Sequence, residues 1–116
     1  MDVEIQEQAP WTIITAGPTA GACDSEEWLS LFEDLFERGV RHTIIDCHLI
    51  AVPTSPLLSA LVLSNSIMER GHGCSWIVGC NDRMQRAITI TGLADAIHQA
   101  DTIDDVKRIG CPQGGT

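Results

Sequence analysis

The segment from His42 to Gly71, HTIIDCHLIAVPTSPLLSALVLSNSIMERG, decides how the rest of the chain is read. It opens on His42-Thr-Ile-Ile-Asp46, a short β-branched run that suits a strand. Leu49, Ile50 and Val52 then lead into Pro53-Thr54-Ser55-Pro56. Proline at a first helical position loses no hydrogen bond, and a serine before it can cap the helix, so Ser55 is expected as the cap with Pro56 as the first helical residue. From Leu57 to Val62 the helix is apolar nearly all round, so its first turns belong in a core, with Leu57, Leu58, Leu61 and Val62 facing inward. Arg70-Gly71 ends it.

Outward from this segment the pattern repeats. Toward the amino terminus, Trp11-Thr-Ile-Ile-Thr15 reads as a strand stopped by Gly17-Pro18, and Val3 to Ile5 as a short edge strand. Asp24 and Glu27 form a capping box for a helix carrying Trp28, Leu31, Phe32, Leu35 and Phe36 at helical spacing, closed by Arg38-Gly39. Toward the carboxyl terminus, Ser75-Trp-Ile-Val78 is a strand. Asp82 with Gln85 reads as a second capping box for a helix bearing Met84, Ala87 and Ile88, stopped at Gly92. Thr102 with Asp105 starts a last helix with Ile103, Val106 and Ile109 inward. Strand and helix alternate, and right-handed crossovers make the later strands parallel. The expected fold is α/β, a mixed, mostly parallel sheet of about four to five strands packed against about four helices.

The 116 residues suit one domain, expected to span 1–116 with a core of about 3–109 and a flexible Gly/Pro-rich tail over 110–116. Net charge is −9, and residues 1–37 hold nine acidic side chains without a Lys or Arg. Such a front half repels phosphate backbones, which counts against nucleic-acid binding. The longest apolar stretch, Leu57 to Leu63, is far short of the ~20 residues that span a bilayer, so no membrane insertion is expected. Cys23, Cys47, Cys74, Cys80 and Cys111 are odd in number, lack CxxC spacing and follow no signal peptide. They are expected as reduced thiols in a cytoplasmic protein.

The string from Thr43 to Gly71, then Ile77-Val-Gly79, then Ile90-Thr-Gly-Leu93, resembles the STAS domain of anti-sigma factor antagonists over roughly residues 11–109. The shared features are a strand ending in Asp, a hydroxyl-bearing loop before a buried helix, a strand ending in Gly, and a Thr-Gly-Leu turn. The resemblance implies a protein-binding regulator that works by partner switching in transcription control. Its implied partner is an anti-sigma factor or related kinase-like protein, which phosphorylates a serine or threonine at the loop-to-helix junction. Counting forward from Asp46 or backward from Gly71 places that acceptor at Ser55, with Thr54 beside it as the second candidate. Pro53, Thr54, Ser55 and Pro56 become the candidate partner-binding loop. This chain has Thr54 or Pro53 where the family carries Asp, and Pro56 or Leu57 where it carries Gly, so a scaffold that keeps the fold without the switch is the alternative.

A third class of function is a small enzyme. Cys80 and Arg86 have the C-x5-R spacing of cysteine phosphatases, but the loop between them has no glycine and Asp82 would repel an anion, so no catalytic residue is expected. Cys47 with His48, and His72 with Cys74, combine zinc's preferred ligand types. Adjacent strand residues such as Cys47 and His48 point to opposite faces, so no metal site is expected, and no cofactor. Gly17-Pro-Thr-Ala-Gly21 lacks the ending of a phosphate loop.

Overall fold

The structure is a computed structural model that describes residues 1–111. Its elements are β1 (Val3–Gln8), β2 (Trp11–Ala16), a 3-10 turn (Ala20–Ala22), α1 (Ser25–Glu37), β3 (His42–Asp46), α2 (Ser55–Glu69), β4 (Cys74–Val78), α3 (Asp82–Ile90), β5 (His98–Ala100) and α4 (Ile103–Ile109). The five strands lie in sequence order, β1-β2-β3-β4-β5, with β1 antiparallel to β2 and the other pairs parallel. The α/β architecture is the expected one. β1 runs to Gln8 rather than stopping near Ile5, because a tight Ala9-Pro10 turn lets every residue from Val3 to Gln8 pair with β2.

Each helical connection steps from one strand to its neighbour in the same direction, and right-handed crossovers of that kind put their helices on one face. On that face Trp28, Phe32 and Leu35 of α1, Leu57, Leu58, Leu61 and Met68 of α2, and Met84 and Ile88 of α3 pack against Ile14, Ile45 and Ile77 of the sheet. Val62, expected fully inward, is half-buried at the margin of this core. On the other face Val106 of α4 packs against Trp11, Ile13, Ile44, Cys74, Trp76 and Val78. β4 is covered on both sides, and all five of its residues are buried. Ile109, expected inward, is instead 56% exposed, because α4 has only seven residues and Val106 alone takes the buried position.

A buried polar chain crosses the main core. Thr43 Oγ1 donates to Ser75 Oγ at 2.8 Å, Ser64 Oγ lies 3.0 Å from Ser75 Oγ and donates to Leu61 O, and the Ser75 N–H donates to Asn65 Oδ1 at 3.0 Å. Buried hydroxyls satisfied this way tie β3, β4 and α2 into one register.

Two expectations about cysteine and the tail are corrected. Cys74 and Cys111 form a disulfide, leaving only Cys23, Cys47 and Cys80 as free thiols. Spacing could not show this pair, since the two cysteines are 37 residues apart and meet only because α4 returns over the amino end of β4. On chain-entropy grounds a cross-link of that span stabilises by about 4 kcal/mol. Gly110 and Cys111, assigned to the flexible tail, are held: Trp76 Nε1 donates to Gly110 O at 3.2 Å, and Cys111 is bonded to Cys74. The rest of that expected tail, 112–116, lies outside the described residues. Among the described residues no helix is long and apolar enough to cross a membrane.

Leu61 is 1% exposed at the centre of the main core. Leu61→Ala is expected to cost about 2–5 kcal/mol in chemical denaturation; a loss below about 1 kcal/mol would contradict this packing.

Candidate functional site at the β3–α2 loop

Parallel strands end together at their carboxyl edge, where open α/β sheets present their ligand- and partner-facing loops. Here β3 ends at Asp46 and β4 at Val78, which are register partners. Asp46 Oδ1 accepts from the His48 N–H at 3.0 Å and contacts His48 Nδ1 at 2.8 Å, turning the chain out of the strand. Gly79 follows Val78 with φ +74°, and a Cβ there would stand 2.8 Å from Asp46 Oδ1 and 3.0 Å from His48 Cβ. A side chain at 79 would meet both backbone strain and a steric block, so glycine is required there.

The loop is pinned from two sides. Asn81 Nδ2 donates to Ile50 O at 3.2 Å and Ala51 O at 3.1 Å, while its Oδ1 accepts from the Met84 N–H and caps α3. The cap is therefore Asn81, not Asp82 as the Asp82–Gln85 spacing suggested; Gln85 Nε2 donates to Cys80 O instead. On the other side Thr54 Oγ1 donates to Gly21 O at 2.7 Å and accepts from the Leu57 N–H at 3.3 Å.

That geometry corrects the expected cap of α2. Thr54 is the cap, with extended backbone; Ser55 is the first helical residue and Pro56 the second. The carbonyl of Gly21, 33 residues away, provides a partner for the Thr54 hydroxyl and so selects it over Ser55. Ser55 is left exposed, and its hydroxyl makes no hydrogen bond among the described residues. Pro53, Thr54 and Pro56 are half-buried around it. Leu49 and Val52, 43% and 53% exposed, add an apolar rim to the same loop. Sequence reasoning missed the rim and the Asn81 tether. In sequence Leu49 and Val52 are no more than part of the run leading into Pro53, and only the fold brings Asn81 to the loop.

The helix start has little capacity for an added anion. Pro56 has no N–H, the Leu57 N–H is spent on Thr54 Oγ1 and the Leu58 N–H on Thr54 O, so the Ser55 N–H alone remains in that turn.

The neighbouring thiols form a separate pair. The adjacent Cys47 thiol favours the Cys80 thiolate and so lowers the Cys80 pKa against burial and the nearby Asp46 charge; the same interaction, with burial, pushes the Cys47 thiol well up. Cys80 opens on a shallow cavity lined by Gly79, Gln85, Gln99, Ala100 and Asp101. Arg86 is exposed and absent from that lining, while Asp101 is present, so the C-x5-R spacing does not build an anion cradle. Likewise the Asp46–His48 pair has no serine or threonine hydroxyl bonded to the ring among the described residues. His72 is exposed with φ +64°, and among the described residues it joins no metal-ligand cluster with Cys74.

Because Thr54 carries the cap, Thr54→Val is expected to destabilise by about 1–3 kcal/mol, and Ser55→Ala to stay within about 0.5 kcal/mol; the reverse order in urea melts would refute the assignment. Among the three free thiols only Cys80 is shifted downward. Iodoacetamide below pH 9 should therefore alkylate Cys80 first. Cys47→Ala removes the neighbouring thiol that favours the Cys80 thiolate, so it should slow that alkylation. Unchanged or faster labelling of Cys80 in that variant would contradict the pairing.

No family model matches the chain, and no curated protein matches it in sequence. Solved structures do. An anti-sigma-factor antagonist (STAS) domain protein from Planctomyces limnophilus superposes with TM-score 0.74 at 12% identity, covering 94% of this chain and 97% of that one. The anti-sigma factor antagonist SpoIIAA, unphosphorylated, gives 0.74 at 10% identity, covering 92% of this chain and 95% of that one. The phosphorylated form of SpoIIAA, a Bacillus cell fate determinant, gives 0.67 at 12% identity, covering 92% and 98%. At such low identity the agreement is one of backbone rather than of side chains, and it shows that this chain has the STAS fold.

Proposed function

We propose that this chain is a partner-switching regulator of the anti-sigma factor antagonist type, acting as one domain in the cytoplasm by binding a protein partner through the β3–α2 loop. The observation that carries this reading is the exposed hydroxyl of Ser55, unbonded among the described residues, on a loop tethered at Thr54 and Asn81 and edged by exposed Leu49 and Val52. A preorganised loop of this kind binds without a large ordering cost, and the apolar rim supplies area to bury. The partner is an anti-sigma factor or related kinase-like protein. Phosphate on Ser55 would add about two negative charges to a packed interface and oppose association by desolvation. Ser55 is the better acceptor because Thr54 would have to give up both the Gly21 carbonyl and the Leu57 cap. The fold supports this reading through SpoIIAA, which occurs in phosphorylated and unphosphorylated forms.

One observation favours a scaffold without a switch. Pro56 and the two spent N–H groups leave the helix start poorly suited to hold a phosphate. The two readings separate in one experiment, with the kinase-like partner from the same organism. Under the switch reading Ser55→Asp weakens binding by about tenfold or more while leaving the Tm nearly unchanged, and the partner phosphorylates wild type but not Ser55→Ala. Equal binding by Ser55→Asp together with no phosphorylation would establish the scaffold instead. Turnover of an aryl phosphate lost on Cys80→Ser would overturn both.

A further inference from the structure

At the opposite, amino end of the parallel strands lies a cluster that the partner-binding loop does not use. His42 and Cys74 are register partners on β3 and β4. Both lie in the alternation that faces α4, with Ile44, Trp76 and Val78. After α4, Gly110 takes φ +74° and is anchored by Trp76 Nε1, which delivers Cys111 onto the same spot. Cys111 Sγ lies 3.1 Å from His42 Nδ1, and the ligand atoms of His42, Cys74 and Cys111 all fall within 4.8 Å of one another. The Trp11 ring, its centroid 5.5 Å from that of His42 and tilted by 56°, restricts the imidazole. Cys74 is 2% exposed.

A disulfide requires two cysteines and no imidazole. Two sulfurs and a ring nitrogen converging in a half-buried place are a donor set for a borderline-soft divalent cation. We propose that His42, Cys74 and Cys111, once the disulfide is reduced, bind one zinc-type divalent cation, so that this edge of the fold exchanges a disulfide for a metal. Two thiolates and a neutral imidazole balance a charge of +2, which makes burial of both thiolates tolerable. A fourth position is left for water. Tetrahedral Zn–S bonds of about 2.3 Å put the two sulfurs about 3.8 Å apart, so metal and disulfide exclude each other. The Cα–Cα distance of 5.7 Å leaves side-chain rotation enough room for either.

The exchange balances. A small dithiol reduces the disulfide: its two S–H groups become a disulfide, and Cys74 and Cys111 each gain one hydrogen. The cation then displaces a proton from each thiol, releasing two. In the reverse direction loss of the cation leaves two thiolates, whose two electrons pass to a disulfide acceptor such as oxidised glutathione; its two thiolates leave and take up two protons from water as Cys74–Cys111 reforms.

The full chain, reduced with a phosphine that is then removed without oxygen, is titrated with Co2+ and then Zn2+. One equivalent of Co2+ should give a thiolate-to-cobalt charge-transfer band and tetrahedral d–d bands that Zn2+ abolishes, and the disulfide form should give neither. Cys111→Ser and His42→Ala should bind at least about 100-fold more weakly, since even a lost outer-shell partner costs 10–100-fold. The Cys47→Ser/Cys80→Ser double variant should bind like wild type. One equivalent of Zn2+ should also slow re-formation of the disulfide by oxidised glutathione at least about tenfold. Circular dichroism checks that each variant is folded, and Cys111→Ser decides if His42→Ala is not. Absence of the sulfur band in reduced wild type, or its survival at full affinity in Cys111→Ser, would overturn the proposal and leave a structural disulfide.

Discussion

The rest of the structure depends on the register of β3 against β4. Five consecutive pairs, from His42↔Cys74 to Asp46↔Val78, are set by hydrogen bonds between parallel strands. The hydroxyl chain from Thr43 through Ser75 to Ser64 adds side-chain bonds that exist in this register alone. A slip of one residue would turn Ile44 and Ile45 to the wrong faces and part the Thr43 and Ser75 hydroxyls in the core, at a cost of about 1–3 kcal/mol for each orphaned group, while Ser64 keeps its bond to Leu61 O. Such a polar chain contributes more to uniqueness than to net stability, because its partners in water are nearly as good.

Both ends of the molecule inherit their chemistry from that register. At the carboxyl end, Asp46 meets Gly79 and His48, the chain leaves the strand, and Asn81 reaches back to hold the loop. At the amino end, His42 is set beside Cys74 and under Cys111. The loop end offers an exposed hydroxyl and apolar edge suited to a protein surface. Polarisable sulfur and imidazole fill the other end, where they suit redox or metal chemistry. One sheet separates the two.

The disulfide also changes how the chain's location is argued. A bonded pair of cysteines is ordinary outside the reducing cytosol and unusual within it. If the chain works in the cytoplasm as proposed, the glutathione and thioredoxin pools act on this bond, and the reduced form of Cys74 and Cys111 is the one to which the proposed cation would bind. The main core, built from α1, α2 and α3 on the other face, contains neither cysteine of the pair.

Periodicity and capping spacing alone determined the alternation of strand and helix, the burial of α2 at Leu57, Leu58 and Leu61, and the caps at Asp24 and Thr102. Each of these is written in residues close together in sequence. The start of α2 at Ser55-Pro56 was legible to within one residue for the same reason, although the cap is Thr54. Long-range contacts decided the remainder. Thr54 became the cap because Gly21, 33 residues away, accepts its hydroxyl proton, and Asn81 displaced Asp82 as the α3 cap while bonding the loop 30 residues before it. Cys74 was paired with Cys111 and set beside His42 only by the parallel register and the return of α4. Local pattern encodes which face a residue takes, whereas a partner 30 or more residues distant is chosen by the geometry of the folded sheet.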